Sequence, residues 1–216
     1  MKKKNVNENT FIINLTTISF IVIMIISLLF ANKNIIVFGF DAPIAAIIYP
    51  FIYLLTVIFY ERFGKEKTFN LFIYTVFSLI LVTVILNLMS GVGPKENMIT
   101  VEFQTMFAFI TSFIFGNTLN LILYNILENK KASNFFISSM VAITFDAMLF
   151  LLLNSIGTDI LNDIFGNFVG RYIICILVLL VDTFIFYWLI KHDKGNKKMK
   201  VVNKEKIVKP KKETQK

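Results

Sequence analysis

A single cysteine, Cys175, excludes an intrachain disulfide, and a single histidine, His192, has no partner at metal-ligand spacing. Metal and disulfide frameworks drop out together, and no cofactor motif takes their place. Charge is scarce as well: 17% of the 216 residues are charged, against roughly 25% in a soluble domain, and mean hydropathy is +0.70. A water-soluble globule is excluded. Four prolines rule out a Pro-rich or collagen-like chain, and 24 phenylalanines show that the apolar excess is not an Ala- or Gly-rich repeat. What is present in quantity is apolar, 56% of the chain, which is the composition of an integral membrane protein.

A hydrocarbon core of about 30 Å takes about 20 residues of helix to cross. Six apolar runs of that order are present, at residues 11–30, 44–60, 69–90, 103–127, 135–154 and 172–190. They are continuously apolar, whereas strands of a membrane barrel alternate apolar and polar over about ten residues. The expected fold class is therefore all-α, a six-helix transmembrane domain over residues 11–190 of a multi-pass cell-membrane protein. The first run is too long for the apolar region of a signal peptide and lacks a clean small-x-small cleavage site after it, so it counts as a helix.

Orientation follows from Lys and Arg alone. With six spans, 19 of the 22 basic residues fall on one side, in the amino end (1–10), the second and fourth loops and the tail, leaving Lys33, Lys95 and Arg171 on the other. Both termini are expected in the cytoplasm. A reporter fused after Lys216 should be active only in the cytoplasm and one inserted near Asp159 only outside; a cytoplasmic signal at Asp159 would overturn the topology. The net charge of +8 comes from loops and tail, and so does not point to nucleic acid. The tail, residues 191–216, is nearly devoid of large apolar side chains and is expected to be disordered, available to anionic lipid headgroups or serving only topology and solubility.

No phosphate-binding loop is encoded, because Gly64-Lys65 lacks the earlier glycine and is followed by Glu66, so the chain cannot hydrolyse ATP by itself. Asp159 and Asp163 sit in a loop with no third ligand and read as turn and cap residues. The informative acids lie inside spans. A carboxylate near mid-depth costs roughly 2.5 to 3.5 kcal/mol on insertion scales, so Asp146 and Asp182 point either to a functional site or to carboxyls bonded to neighbouring Ser and Thr to hold the bundle together. Ser139, Ala142, Asp146, Phe150 and Asn154 recur at helical spacing and mark an inward face. Asn117, Asn120 and Tyr124, and separately Gln104, Thr111 and Thr118, read as bundle-facing polar stripes of the fourth span. Such a bundle suits a flat, purine-like heterocycle, whose N–H groups pair with carboxylate and amide oxygens while its rings stack on aromatics. Removing the acid by Asp146→Asn is expected to keep or raise the amount of folded protein, since a costly charge leaves the membrane.

The segment Ile48 to Lys65, IYPFIYLLTVIFYERFGK, resembles the signature of the queuosine-precursor transporter family, also called the vitamin-uptake-transporter family: an aromatic-Pro pair, an apolar turn or two, then Glu61 and a downstream aromatic and Gly. Ala31-Asn32-Lys33 and Phe38-Gly39 resemble its first loop. Ser138-Ser139 with Phe145-Asp146 and Phe150 resembles its fifth helix, and Val181-Asp182-Thr183 its last. The resemblance implies an importer of 7-deazaguanine precursors of queuosine in a bacterial cytoplasmic membrane, not an enzyme. It nominates Asp146 and Glu61, then Asp182, Asn117 and Asn120, as substrate-binding residues.

Two other classes are open to the same sequence. A substrate-binding component of an energy-coupling-factor transporter would borrow an ATPase module from other chains, but commonly docks through an Ala-x-x-x-Ala face on its first helix, which is missing here. A lipid-directed membrane enzyme would need clustered acids, histidines or a nucleophile at an interface, and only Asp159 and Asp163 come near to that.

Overall fold

The computed structural model describes residues 2–90, 101–127, 132–156 and 164–208. The elements are α1 (Lys2–Leu29), β1 (Asn34–Val37), β2 (Phe40–Pro43), α2 (Ala45–Ile48), α3 (Pro50–Phe63), α4 (Lys65–Ser90), α5 (Phe103–Ile126), α6 (Ala132–Asn154) and α7 (Ile164–Val208). Six stretches are long and apolar enough to cross a bilayer: Thr10–Leu29, Ala45–Phe63, Lys65–Ser90, Phe103–Ile126, Ala132–Asn154 and Phe168–Lys191. Each overlaps one of the six apolar runs, and the chain is a multi-pass membrane protein. Large apolar residues point outward along all six, among them Phe77, Phe107, Phe145 and Phe184, as expected where lipid is the solvent.

The second span, α2 with α3, is the most buried. It is interrupted at Tyr49 because Pro50 has no N–H to offer the Ala46 carbonyl one turn back. That carbonyl takes the Cys175 thiol of α7 as its donor instead, at 3.7 Å. The lone cysteine thus caps a backbone acceptor freed by a proline, and is itself fully buried.

Three features go beyond the reading of the sequence. The first loop forms a hairpin: β1 and β2 pair antiparallel, Asn34 opposite Pro43 and Val37 opposite Phe40. The turn between them has positive φ at both Phe38 (51°) and Gly39 (84°), the twist that matches a two-residue hairpin. The hairpin lies on α7, where Gly170 meets the Asp41 carbonyl so closely that any side chain would collide with it. Secondly, α7 runs on as helix past Lys191 to Val208. Lys, Glu and Met favour helix and the first proline of this stretch is Pro210, although Gly195 and Asn196 are weak helix formers. Thirdly, Thr118 is exposed on the outer surface of α5, so the stripe of Gln104, Thr111 and Thr118 does not face the bundle. Gln104 instead caps the end of α6, donating to the carbonyls of Leu153, Asn154 and Ile156 at 3.1, 3.1 and 2.7 Å. Asp159, Asp163, Lys95, Lys130 and Lys131 lie outside the described residues.

The hairpin end of the bundle is tied together by side chains. Asn32 donates to the Thr105 hydroxyl at 2.8 Å, and Thr105 donates to Asn154 Oδ1 at 2.9 Å. This joins the loop before the hairpin to the start of α5 and the end of α6, fixing the helices around the residues described next.

Candidate functional site

Asp146 lies on the buried stripe of α6 expected from its periodicity: Ser139, Ala142, Asp146 and Phe150 are all buried. Its carboxylate is not alone. The Tyr49 hydroxyl donates to Oδ1 at 3.1 Å, and Arg171 Nη2 donates to Oδ2 at 3.3 Å. The apolar run of the last span starts after Arg171, yet α7 begins seven residues before it and Arg171 is 5% exposed, inside the bundle. An arginine this deep persists because it is paired: the acid and the base neutralise one another, and separating them would leave either charge buried alone.

Aromatic rings wall the pair. The Arg171 guanidinium lies over the Phe150 ring, 4.6 Å from its centroid, and 5.8 Å from that of Tyr49. Phe109 stands edge-on to Tyr49 at 5.5 Å and to Phe150 at 6.4 Å, and Tyr53 packs on Tyr49 at 5.9 Å. The break at Pro50 sets Tyr49 between two helical segments, with Tyr53 one turn further on. Gly116 of α5 admits both the Tyr53 ring and Asp146: a Cβ there would sit 2.5 Å from the Tyr53 hydroxyl and 2.9 Å from Asp146 Cβ. The Tyr53 hydroxyl is buried with no hydrogen-bond partner.

The arrangement offers a carboxylate acceptor beside a guanidinium that spends only one donor on it, within a ring of π-faces. A charge-assisted N–H···O bond is usually about 2.7 to 2.9 Å, so at 3.3 Å the Arg171 to Asp146 contact is long. Both partners keep capacity for a third group.

The other nominated residues separate from this pair. Asn117 and Asn120 are buried on α5: Thr56 donates to Asn117 Oδ1 at 2.9 Å, and Ser139 donates to Asn120 Oδ1 at 3.2 Å. Asn117 also returns a bond to the Phe113 carbonyl at 3.1 Å, so its amide is engaged within the bundle. Asp182 is fully buried on α7, eleven residues beyond Arg171, or about 16 Å along the helix. Glu61 is exposed at the far end of α3, twelve residues and about 18 Å from Tyr49. It does not join Asp146. Sequence reasoning missed Arg171, Tyr49 and Tyr53, and the available signal was an arginine between Gly170 and an apolar run, in a chain with only two arginines.

A large cavity of ≈ 1070 Å³ lies elsewhere, on the outer surface between α4 and α5. Phe69, Phe72, Phe77, Ile80 and Ile114 line it and its charged groups, Lys65 and Glu66, stand at the start of α4, so it lacks the interior polar groups that a heterocycle needs.

No curated protein and no solved structure matches the chain. The family described as "Putative vitamin uptake transporter" matches residues 43–189, which include the Asp146–Arg171 pair, its aromatic wall and Asp182. Since that match spans well over half of a chain whose six apolar helices enclose a paired acid and base, the protein belongs to the vitamin uptake transporter family.

Proposed function

We propose that this transporter imports 7-deazaguanine bases, the precursors of queuosine, and that Asp146 and Arg171 together read the edge of the base. The observation that carries this reading is a buried acid–base pair enclosed by Tyr49, Phe109 and Phe150. A guanine-like edge presents adjacent N–H donors beside a carbonyl. A carboxylate accepts the donors, a guanidinium donates to the carbonyl, and flat rings stack on aromatic walls. The two charges already cancel, so a neutral base inserts without leaving a net charge in the membrane. A precursor with an aminomethyl cation would place that charge on Asp146. With both termini in the cytoplasm the hairpin end faces outward, which puts the pair on the side from which a nutrient arrives.

The test is uptake. Labelled 7-deazaguanine bases are supplied to queuosine-deficient cells that express this chain and lack every energy-coupling-factor module, and label is measured in tRNA queuosine. Label is expected in the tRNA of expressing cells only. Uptake that returns only when an ATPase module is co-expressed assigns the chain as a substrate-binding component of such a transporter, and no uptake in either host overturns the substrate.

A further inference from the structure

Six buried polar atoms among the described residues have no hydrogen-bond partner, and four of them belong to Asp182, Asn120 and Tyr124: both Asp182 carboxylate oxygens, Asn120 Nδ2 and the Tyr124 hydroxyl. These residues come from α7 and α5, with α6 between, and their level is fixed by aromatic contacts. Phe186 of α7 packs on Phe135 of α6 at 4.8 Å and on Tyr124 of α5 at 6.1 Å. One turn from this layer toward Asp146 stand Asp182 on α7, Ser138 and Ser139 on α6, and Asn120 on α5, all fully buried. Ser139 and Asn120 are already joined across the helices. An oxygen-rich layer therefore crosses the bundle beneath the Asp146–Arg171 pair, and its one formal charge has no donor.

We propose that Asp182 with this layer binds one monovalent cation, a proton or sodium, whose gradient drives import. The proposal rests on the importer reading above. A buried carboxylate is ordinarily paired, coordinated to a metal or neutralised, and mid-depth acids of transporters mark ion pathways. Among the described residues the only buried basic one, Arg171, is already engaged by Asp146. Other titratable or charged groups on the elements packed against α7 are Asp146 on α6, Tyr49, Asp41 on β2, and Tyr53, Tyr60, Glu61 and Arg62 on α3; those nearest the hairpin surround Arg171, whereas Tyr60, Glu61 and Arg62 stand at the other end of α3, at about the depth of Asp182, where Glu61 is exposed and its charge acts on Tyr124. One carboxylate amid neutral oxygens balances a single positive charge, whereas calcium takes six to eight oxygens with several carboxylates among them. Asp182 lies too far along α7 from Arg171 to touch the same bicyclic base, so it serves a second ligand. Because one helix carries both Arg171 and Asp182, α7 links the two sites: a neutralised Asp182 can leave the polar layer and pass apolar neighbours, and a charged one cannot.

Two measurements on purified full-length protein test this. The first needs no substrate: binding of radioactive sodium ion, and the infrared band of a protonated carboxyl. Wild type is expected to give one of these signals at one cation per chain; Asp182→Asn loses it, and Asp182→Glu keeps it, which separates loss of the site from loss of the fold. The second uses proteoliposomes and a labelled 7-deazaguanine base. Wild type accumulates the base at least tenfold under an inward gradient of the same cation, while Asp182→Asn still binds it but only equilibrates it. Absence of any difference between wild type and Asp182→Asn in both cation signals overturns the proposal, as does full accumulation by Asp182→Asn. A wild type that shows the cation signal yet binds no base sinks the substrate reading and leaves the cation site standing.

Discussion

Asp146→Asn is expected to abolish base binding and also to lose folded protein, because the substitution leaves the Arg171 guanidinium buried without a counter-charge. Breaking a buried ion pair from one side costs about 3 to 5 kcal/mol, enough to remove most of the margin of a typical domain. The sign is opposite to the one read from the lone acid, where removing a mid-depth carboxylate should have helped the membrane protein fold; the Arg171 contact at 3.3 Å reverses it. A second variant separates the two roles. Asp146→Asn with Arg171→Leu removes both charges, so neither is left buried without its partner. Folded protein, read by gel filtration and thermal unfolding in detergent, should return to near the wild-type level in the double variant. Binding of a labelled 7-deazaguanine base should not. If the double variant takes up base normally, the pair is a packing strut and the assignment of the site is wrong.

Gly116→Ala should be nearly as damaging although it adds one methyl group. On an isolated helix alanine is favoured over glycine by about 1 kcal/mol, so a site with room would gain stability. Here the new Cβ lands 2.5 Å from the Tyr53 hydroxyl, the end of a rigid ring, and 2.9 Å from Asp146 Cβ. Overpacking of a tight core costs about 1 to 3 kcal/mol. The displaced side chains are those of the proposed site, so uptake should fall more than tenfold while folded protein falls moderately. Tyr53→Phe removes the closer of the two obstacles, and Gly116→Ala with Tyr53→Phe should recover part of the thermal stability. Wild-type uptake by Gly116→Ala would show that the space beside Asp146 is not used for substrate.

Much of the architecture is legible without coordinates because the bilayer forces it. Backbone polar groups in hydrocarbon must be satisfied within the segment, so each long apolar run becomes a helix, and all six stretches fall within a few residues of the runs. The inward stripe of α6 is equally legible, since a period of 3.6 carries Ser139, Ala142, Asp146 and Phe150 onto one face whatever the neighbours are. The same reasoning fails for Gln104, Thr111 and Thr118. A step of seven accumulates a drift, and hydroxyls can bond their own helix backbone, so polarity at that spacing does not require a polar partner.

Glu61 shows another limit. It stands in the most recognisable stretch of the chain, yet it lies exposed at the end of α3, about 18 Å along the helix from Tyr49. A motif tells which residues travel together in sequence, and a helix of fourteen residues carries its two ends to opposite halves of the bundle. The hairpin was hidden for the opposite reason: strands of four residues are too short to show periodicity, and Phe38-Gly39 signals a turn only if the flanks are known to pair.

By itself, then, the sequence determined the membrane class, the six helices and the burial of Asp146 and Asp182, because each follows from local apolar length or helical period. Only the tertiary structure decided what those acids meet. Arg171 reaches Asp146 across 25 positions, Tyr49 reaches the same Asp146 across 97, Cys175 caps the carbonyl that Pro50 released, and Gly116 makes room for Tyr53. Pairings at such separations depend on how the helices rotate and slide against one another, which packing of the whole bundle sets and no single segment encodes.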